Sequence, residues 1–391
     1  MEYKKLKDLV EINSESITKN YNETIINYLD TSNITNGKID SVVEMNIGEA
    51  PSRAKRIVRK NDIIYSTVRP NLCHYGILRE TLKNMIVSTG FAVLRCKEGI
   101  LPEYLYEYIT LPAITMRLQA IAETSTSAYP SIKPKDLEDL DILLPPIEIQ
   151  QKIANILSNI DKKIELNNKI NDNLFEIALR LFNKFLDDNV EIKKIKLEEC
   201  VGKINTGADA IQRAPIVDYD TGIRCIRIGD MTNNRDYHSW GFTKMTEKDF
   251  YNYKLLKNDI VITRTAVNGL TYMITNEENV VCNNGNIRLR VNDKFNPLYI
   301  YLYTKTKDFR NYIERINGET SVRPNMKVEY LTSFLIKNID LDNQNEICKT
   351  IQPLIDKIQS NKKETFILEQ LKDTLLPKLM NGEINLDKIE I

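Results

Sequence analysis

The sequence predicts an α+β chain with a pseudo-two-fold internal repeat: two mixed α/β domains separated by two long antiparallel helices that pair as a coiled-coil spacer. Three observations carry this. The 391 residues exceed what a single ordinary core serves. Segments recur in the same order at shifts of 189 to 197 residues. Two stretches of about forty residues carry apolar side chains at alternating four-and-three spacing, a coiled-coil seam.

The repeat is the most informative feature. KNDIIYSTVRPN (60–71) returns as KNDIVITRTAVN (257–268), and TSAYPSIKPKDL (126–137) returns as TSVRPNMKVEYL (320–331). IQQKIANILSNIDKKIELNNK (149–169) lies over NQNEICKTIQPLIDKIQSNKK (343–363), and EYKKLKDL (2–9) over EIKKIKLEE (191–199). A period this long is not a solenoid; a domain followed by a helix occurs twice. The boundaries expected are 1–146 for the first domain, 147–187 for the central spacer helix, 188–338 for the second domain and 339–391 for the distal helix and tail. A chain duplicated in this way suits a target with two half-sites or two identical partners.

Within the first helix the seam reads Ile153, Leu157, Ile160, Ile164, Asn167, Asn171, Leu174, Ala178, Leu181 and Phe185. Its counterpart reads Ile347, Ile351, Leu354, Ile358, Asn361, Thr365, Leu368, Lys372, Leu375 and Leu379, with one lapse at Lys372. Pro353 is expected to kink or delay the second helix, and Pro377 to disturb its last turn before Gly382 stops it. In an antiparallel pair middle faces middle, so Asn167, Asn171, Asn361 and Thr365 should form a polar layer that fixes register.

In both domains, short β-rich runs follow Lys-Asn turns: Asp62–Ser66 and Asp259–Thr263. Ile86-Val87, Phe91–Leu94, Val280-Val281 and Ile287–Leu289 read as further strands. An aromatic-striped helix is expected in each, over Glu103–Leu111 and Pro297–Tyr303, with its tyrosines packing in the core.

Composition narrows the function. No window approaches eighteen consecutive apolar residues, and the N-terminus has no signal-peptide pattern, so a cytoplasmic protein is expected. Six scattered cysteines and two histidines show no metal-ligand spacing. Fifty-four Lys plus Arg balance 54 Asp plus Glu, so any basic footprint must be local. Glycine-rich phosphate loops are missing. Pro145-Pro146 lacks the polar residue before and the aromatic after that a base-methylating site needs, and Glu-x-Lys at Glu2 and Glu191 lacks a convincing strand-borne Asp. Catalysis is not expected.

DNA contacts fit the loops better. Arg53, Lys55, Arg56, Arg59 and Lys60 precede the first repeated strand; Arg69, Asn71, His74 and Tyr75 follow it. The second domain offers Arg213, Arg224 and Arg227, then Arg264, Thr265 and Asn268 after the matching strand, and Arg323 in the later loop. Arg and Asn make paired hydrogen bonds to guanine and adenine edges, while scattered cations serve phosphates. Equivalent positions in the two halves carry different side chains, as expected of one scaffold reading two different sequences.

On these residues the chain resembles the specificity subunit of type I restriction-modification systems. The resemblance rests on Lys-Asn-Asp-Ile-Ile/Val at 60–64 and 257–261, on Thr-Ser-x-x-Pro-x-Ile/Met at 126–132 and 320–326, and on the helix pieces Leu144–Ile153 and Leu375–Ile384. It implies two target-recognition domains, each reading half of a split, asymmetric DNA sequence. It implies two docked methyltransferase subunits, with motor-nuclease subunits joining through them. No cofactor is then bound by this chain; S-adenosylmethionine, ATP and Mg2+ belong to the partners. The competing readings are a duplicated stand-alone methyltransferase or nuclease, and a coiled-coil scaffold without DNA binding.

Overall fold

The computed structural model describes every residue except 1, 19, 126–128, 190, 276–278, 320–324, 385 and 387–391, and the side chain of 319. The chain divides into two compact units, Met1–Ile164 with Ile367–Ile391, and Glu165–Phe366. Each long helix therefore contributes one half to each unit. Among the described residues, no helix is long and apolar enough to cross a membrane.

The first unit holds two four-stranded sheets. One runs Val10–Ile12, Phe91–Cys96, Ile63–Ser66, Tyr75–Ile77, with every pairing antiparallel. The other runs Val43–Asn46, Ile25–Leu29, Met85–Ser88, Ala54–Ile57, and its middle pair is parallel. Ile63, Ile64, Tyr65 and Ser66 are all buried, so this strand has sheet or helix on both faces and reads as a continuous apolar run rather than an alternating one. Glu2–Lys5 pairs with Asp141–Leu144 to bring the ends of the domain together.

The second unit repeats the plan. Val201–Thr206, Asn286–Val291, Ile260–Thr263 and Thr271–Met273 form the counterpart of the first sheet. Arg224–Ile226 lies parallel to Val280–Cys282 as Ile25–Leu29 does to Met85–Ser88. The shared core extends to single hydrogen bonds. Asn61 and Asn258 both turn through positive φ, 68° and 71°, in their Lys-Asn-Asp turns. The Asp that follows is buried and gripped by a two-pronged arginine: Arg95 Nε and Nη2 reach Asp62 at 3.0 and 2.8 Å, and Arg290 reaches Asp259 at 2.6 and 2.7 Å. Tyr104 donates to the Leu143 carbonyl and Tyr299 to that of Lys337. Gln150 and Gln344, fully buried, each tie their helix to the domain, accepting from the amides of Leu101 and Asn296 and donating to the carbonyls of Pro145 and Ile339. The periphery differs: a hairpin of Ile34–Thr35 and Lys38–Ile39 occurs in the first unit, and a helix Glu247–Tyr253 in the second.

The long helices span Ile147–Asp188 and Leu341–Met380. They run antiparallel within each unit: Lys152 meets Leu386 and Asp161 meets Lys372 in the first, and Asn167 meets Glu364 and Asn171 meets Asn361 in the second. Three expectations need correction. Pro353 neither delays nor breaks the second helix, which starts twelve residues earlier; it sits between buried Ile351 and Ile355, whose packing outweighs the one missing hydrogen bond. Pro377 likewise lies inside the helix, which closes with Gly382 at φ 72°, its amide bonded to Leu379 and that of Glu383 to Lys378, a Schellman end. Leu181 is exposed, and Phe182 takes its place, fully buried against Tyr299 and Tyr303. There the helix packs on its domain's aromatic helix, so the 3.6-residue period replaces the 3.5-residue seam.

Candidate nucleic-acid interface

The two repeated motifs, far apart in sequence, are joined in each unit. In the first, Val68 bridges Ser131, the Arg69 amide donates to the Pro130 carbonyl at 2.9 Å and the Ile132 amide to Thr67 at 2.8 Å. In the second, Thr265 bridges Asn325 and the Met326 amide donates to Arg264 at 2.7 Å. Arg69 and Ala266, at matching places, both have positive φ, 48° and 60°. A non-glycine residue held there costs roughly 1 kcal/mol or more, so both turns are imposed by the surrounding structure. Thr67 and Arg264 also donate through their amides to Gly90 and Gly285, which ties in the turn of the neighbouring strand pair. Among the described residues, each unit thus joins three loop segments by backbone hydrogen bonds at the C-terminal end of its buried central strand.

Side chains on this frame differ between the units. Arg69 is exposed, its guanidinium 4.8 Å from the Tyr129 ring, and Asn71 is exposed beside it, its amide donating to Gln119. Arg264 lies flat over the later loop, donating from Nε to the Met326 carbonyl and from Nη2 to the Asn325 side chain. Its remaining donors are fixed in direction by those two bonds. Thr265 is half-buried next to it. Asn268 donates to Asn317 and keeps a buried side-chain oxygen with no acceptor role filled. Arg227 lies at the same end, donating to the Cys225 carbonyl with its other terminal nitrogen buried and unpaired. Arg323 lies outside the described residues.

The cationic run at 53–60 does not form one patch. Arg53 ion-pairs with Asp30 and bonds Tyr28, and its carbonyl accepts from Thr89, which places it by the loop end. Those partners raise its already high pKa, Tyr28 most. Arg59 ion-pairs with Glu15 and precedes the Lys-Asn turn at the opposite end of strand Ile63–Ser66, about 13 Å away at 3.3 Å per residue. Arg56 donates to Ser16, and burial lowers its pKa. Lys55 and Lys60 are exposed. Asp30 and Glu15, remote in sequence and invisible in a local window, pair with two of these five cations.

Other candidates are placed away from the loop junction or engaged within their domain. Tyr75 is buried, stacked on Tyr65 at 5.4 Å and edge-on to Tyr106 at 6.2 Å; it is a core ring, not a base contact. His74 bonds the Ile34 carbonyl through Nδ1 at 2.6 Å. Arg224 packs at 4.2 Å over Phe242 and donates to the Trp240 carbonyl, which spends its guanidinium inside the domain. Arg213 is exposed, bonded to Tyr253 and 4.0 Å from Asp249. Asn284 and Asn325 also stand at the loop junction, outside the sequence-predicted set. Asn284 shares its amide with Ala208 and its side chain with Asp209, and Asn325 orients Arg264. The signal was available only in part, because Asn325 stands at a repeated position while Asn284 lies in a turn that differs between the halves.

The polar layer of the helices meets within the second unit. Asn361 donates to Asn171 at 2.9 Å in a buried pair, and Asn167 donates to Glu364 at 2.9 Å with Thr365 at 3.5 Å. Lys372, the lapse in the seam, is answered in the first unit: its ammonium reaches both oxygens of Asp161 at 2.8 Å and Glu107 at 3.3 Å.

Comparison with known proteins agrees with this architecture. The family model described as type I restriction modification DNA specificity domain matches residues 1–176 and again 189–370. The type I restriction enzyme MjaIX specificity subunit of Methanocaldococcus jannaschii is 26% identical over 360 residues, 85% of this chain and 80% of that protein. The HindI specificity subunit of Haemophilus influenzae is 34% identical over 162 residues, 41% of this chain but only 35% of that protein. The S subunit of a type I restriction-modification system from M. genitalium shares the fold, with a TM-score of 0.55 at 19% identity over 97% of this chain and 95% of that one. With two matches that together cover most of its length, the chain belongs to the type I restriction-modification DNA specificity family.

Proposed function

We propose that this chain reads a bipartite, asymmetric DNA target, one half with each domain, and docks two methyltransferase subunits through which restriction subunits join. It is itself non-catalytic, works in the cytoplasm and binds no cofactor; methyl donor, ATP and Mg2+ act on the partners. The observation that carries this reading is the loop junction, alike in its bridge and positive-φ turn and unlike in side chains: Arg69 and Asn71 on one, Arg264, Thr265 and Asn268 on the other. A fixed backbone with exchangeable Arg and Asn is what direct readout of base edges requires. The paired long helices then set the unread gap between half-sites. With balanced net charge, the long-range attraction of this chain alone for DNA is weak, and its partners supply much of the affinity.

The test is a gel shift of the chain reconstituted with its methyltransferase on a DNA library, across a salt series. One split sequence should be retained, with salt-sensitive affinity. Binding of no particular sequence would favour a protein scaffold, and methylation or cleavage by the isolated chain would favour an enzyme.

A further inference from the structure

The second unit contains a cavity of about 340 Å3. Its apolar walls include Phe175, Leu179, Ile355 and Ile358, and Tyr272 and Tyr301 form an aromatic side. Two lysines enter it. Lys305 Nζ donates to the Thr271 carbonyl at 2.6 Å and stands 5.1 Å from the Tyr301 ring; Lys362 Nζ stands 5.6 Å from the Tyr272 ring. Neither ammonium has a carboxylate within 4.0 Å among the described residues. Asp236, which acts on Lys362 from a distance, already accepts the Tyr272 hydroxyl, and Asp172 and Glu176 stand on the helix wall.

The first unit shows what filling this place looks like. Tyr75 and Tyr106 occupy the positions of Tyr272 and Tyr301. There the hairpin tip closes over them: the amides of Asn36 and Gly37 donate to the carbonyls of Cys73 and Tyr75, and Gly37 at φ 78° lies so close that a Cβ would come within 2.7 Å of the Tyr106 hydroxyl. Thr110 stands in the first unit where the second has Lys305. The cavity is therefore paired with a cation, Lys305, that the matching position of the first unit does not carry. Holding two partly buried ammonium groups without a carboxylate in direct contact is costly. Burial pushes Lys305 down to about 8 and also lowers Lys362.

We infer that this cavity binds a small organic anion, a compact apolar body bearing one carboxylate or phosphate. The anionic group would lie between Lys305 and Lys362 and the body against Phe175, Leu179 and the two tyrosine rings. The volume falls in the range of small-molecule sites. The site is independent of the loop frame that carries the proposed DNA reading.

The experiment is thermal unfolding and titration calorimetry of the full chain with benzoate, phenyl phosphate and inorganic phosphate, against sodium chloride at equal ionic strength. Benzoate or phenyl phosphate should raise the melting temperature progressively with concentration. Lys305→Gln and Lys362→Gln should each weaken binding by about tenfold or more. Gln359→Trp, a change on the partly exposed helix wall that fills the cavity, should abolish binding while leaving the chain folded. Stabilisation no greater than that by chloride, binding unaltered by these substitutions, or equal binding of inorganic phosphate would overturn the inference.

Discussion

At the residue scale, the lapse at Lys372 shows how a sequence pattern can break for a reason lying elsewhere in the chain. Lys372, Asp161 and Glu107 form a partly buried charged trio, and the residues at the matching positions of the second unit are Ala178, Ile355 and Leu302, all buried. Removing one member strands a charge; replacing all three need not. Lys372→Met should therefore cost about 3 kcal/mol, measured by urea unfolding, whereas the combined change Glu107→Leu, Asp161→Ile, Lys372→Ala should be neutral or stabilising. Burial, the largest cause, raises the Glu107 carboxyl above its ordinary range, while burial opposes the Lys372 charge but its two acids hold it above its usual value. A raised carboxyl favours the fold when protonated. Its contribution is full below the ordinary value near 4.3 and is lost as pH rises through the folded value, and Glu107→Gln should flatten that slope in a stability–pH profile. For base reading, Arg264→Gln should relax one target position at about 1–3 kcal/mol, while Lys55→Ala should weaken all sequences alike; uniform loss in both would reject Arg264 as a base contact.

Among elements, the long helices, the repeated strands and the aromatic helices were legible because each has its own period or turn signal. Four-and-three spacing located both helices, and Lys-Asn-Asp marked both buried strands. Two kinds of feature were not legible. Pro353 and Leu181 were misread because local rules ignore the packing of Ile351, Ile355 and Phe182 on distant residues. That Arg53 and Arg59 of the basic run at 53–60 are ion-paired was not legible, because Asp30 and Glu15 come from loops remote in sequence. Tyr75 failed for the same reason: exposure is a property of the fold, and Tyr65 and Tyr106 enclose it. The Asn171–Asn361 pair allows an element-scale prediction. Asn361→Leu alone leaves the Asn171 amide buried without its partner and should cost about 1–3 kcal/mol. Adding Asn171→Leu should recover most of that loss, because two apolar residues then face each other, and a double-mutant cycle would register the coupling. Additive losses would mean the pair does not act as a unit.

For the molecule as a whole, two copies of one scaffold share the Asp–Arg grips, the buried glutamines and the interlocked loops, yet present different side chains at the loop frame. On the proposed function, each copy reads its own half-site independently of the other. Exchanging residues 1–146 with those of another family member, and sequencing the methylated sites in cells that carry the chimera with its methyltransferase, tests this most directly. One half of the methylated sequence should change to that of the donor while the other half stays as it was. A chimera that folds and supports methylation but alters both halves, or neither, would contradict the claim.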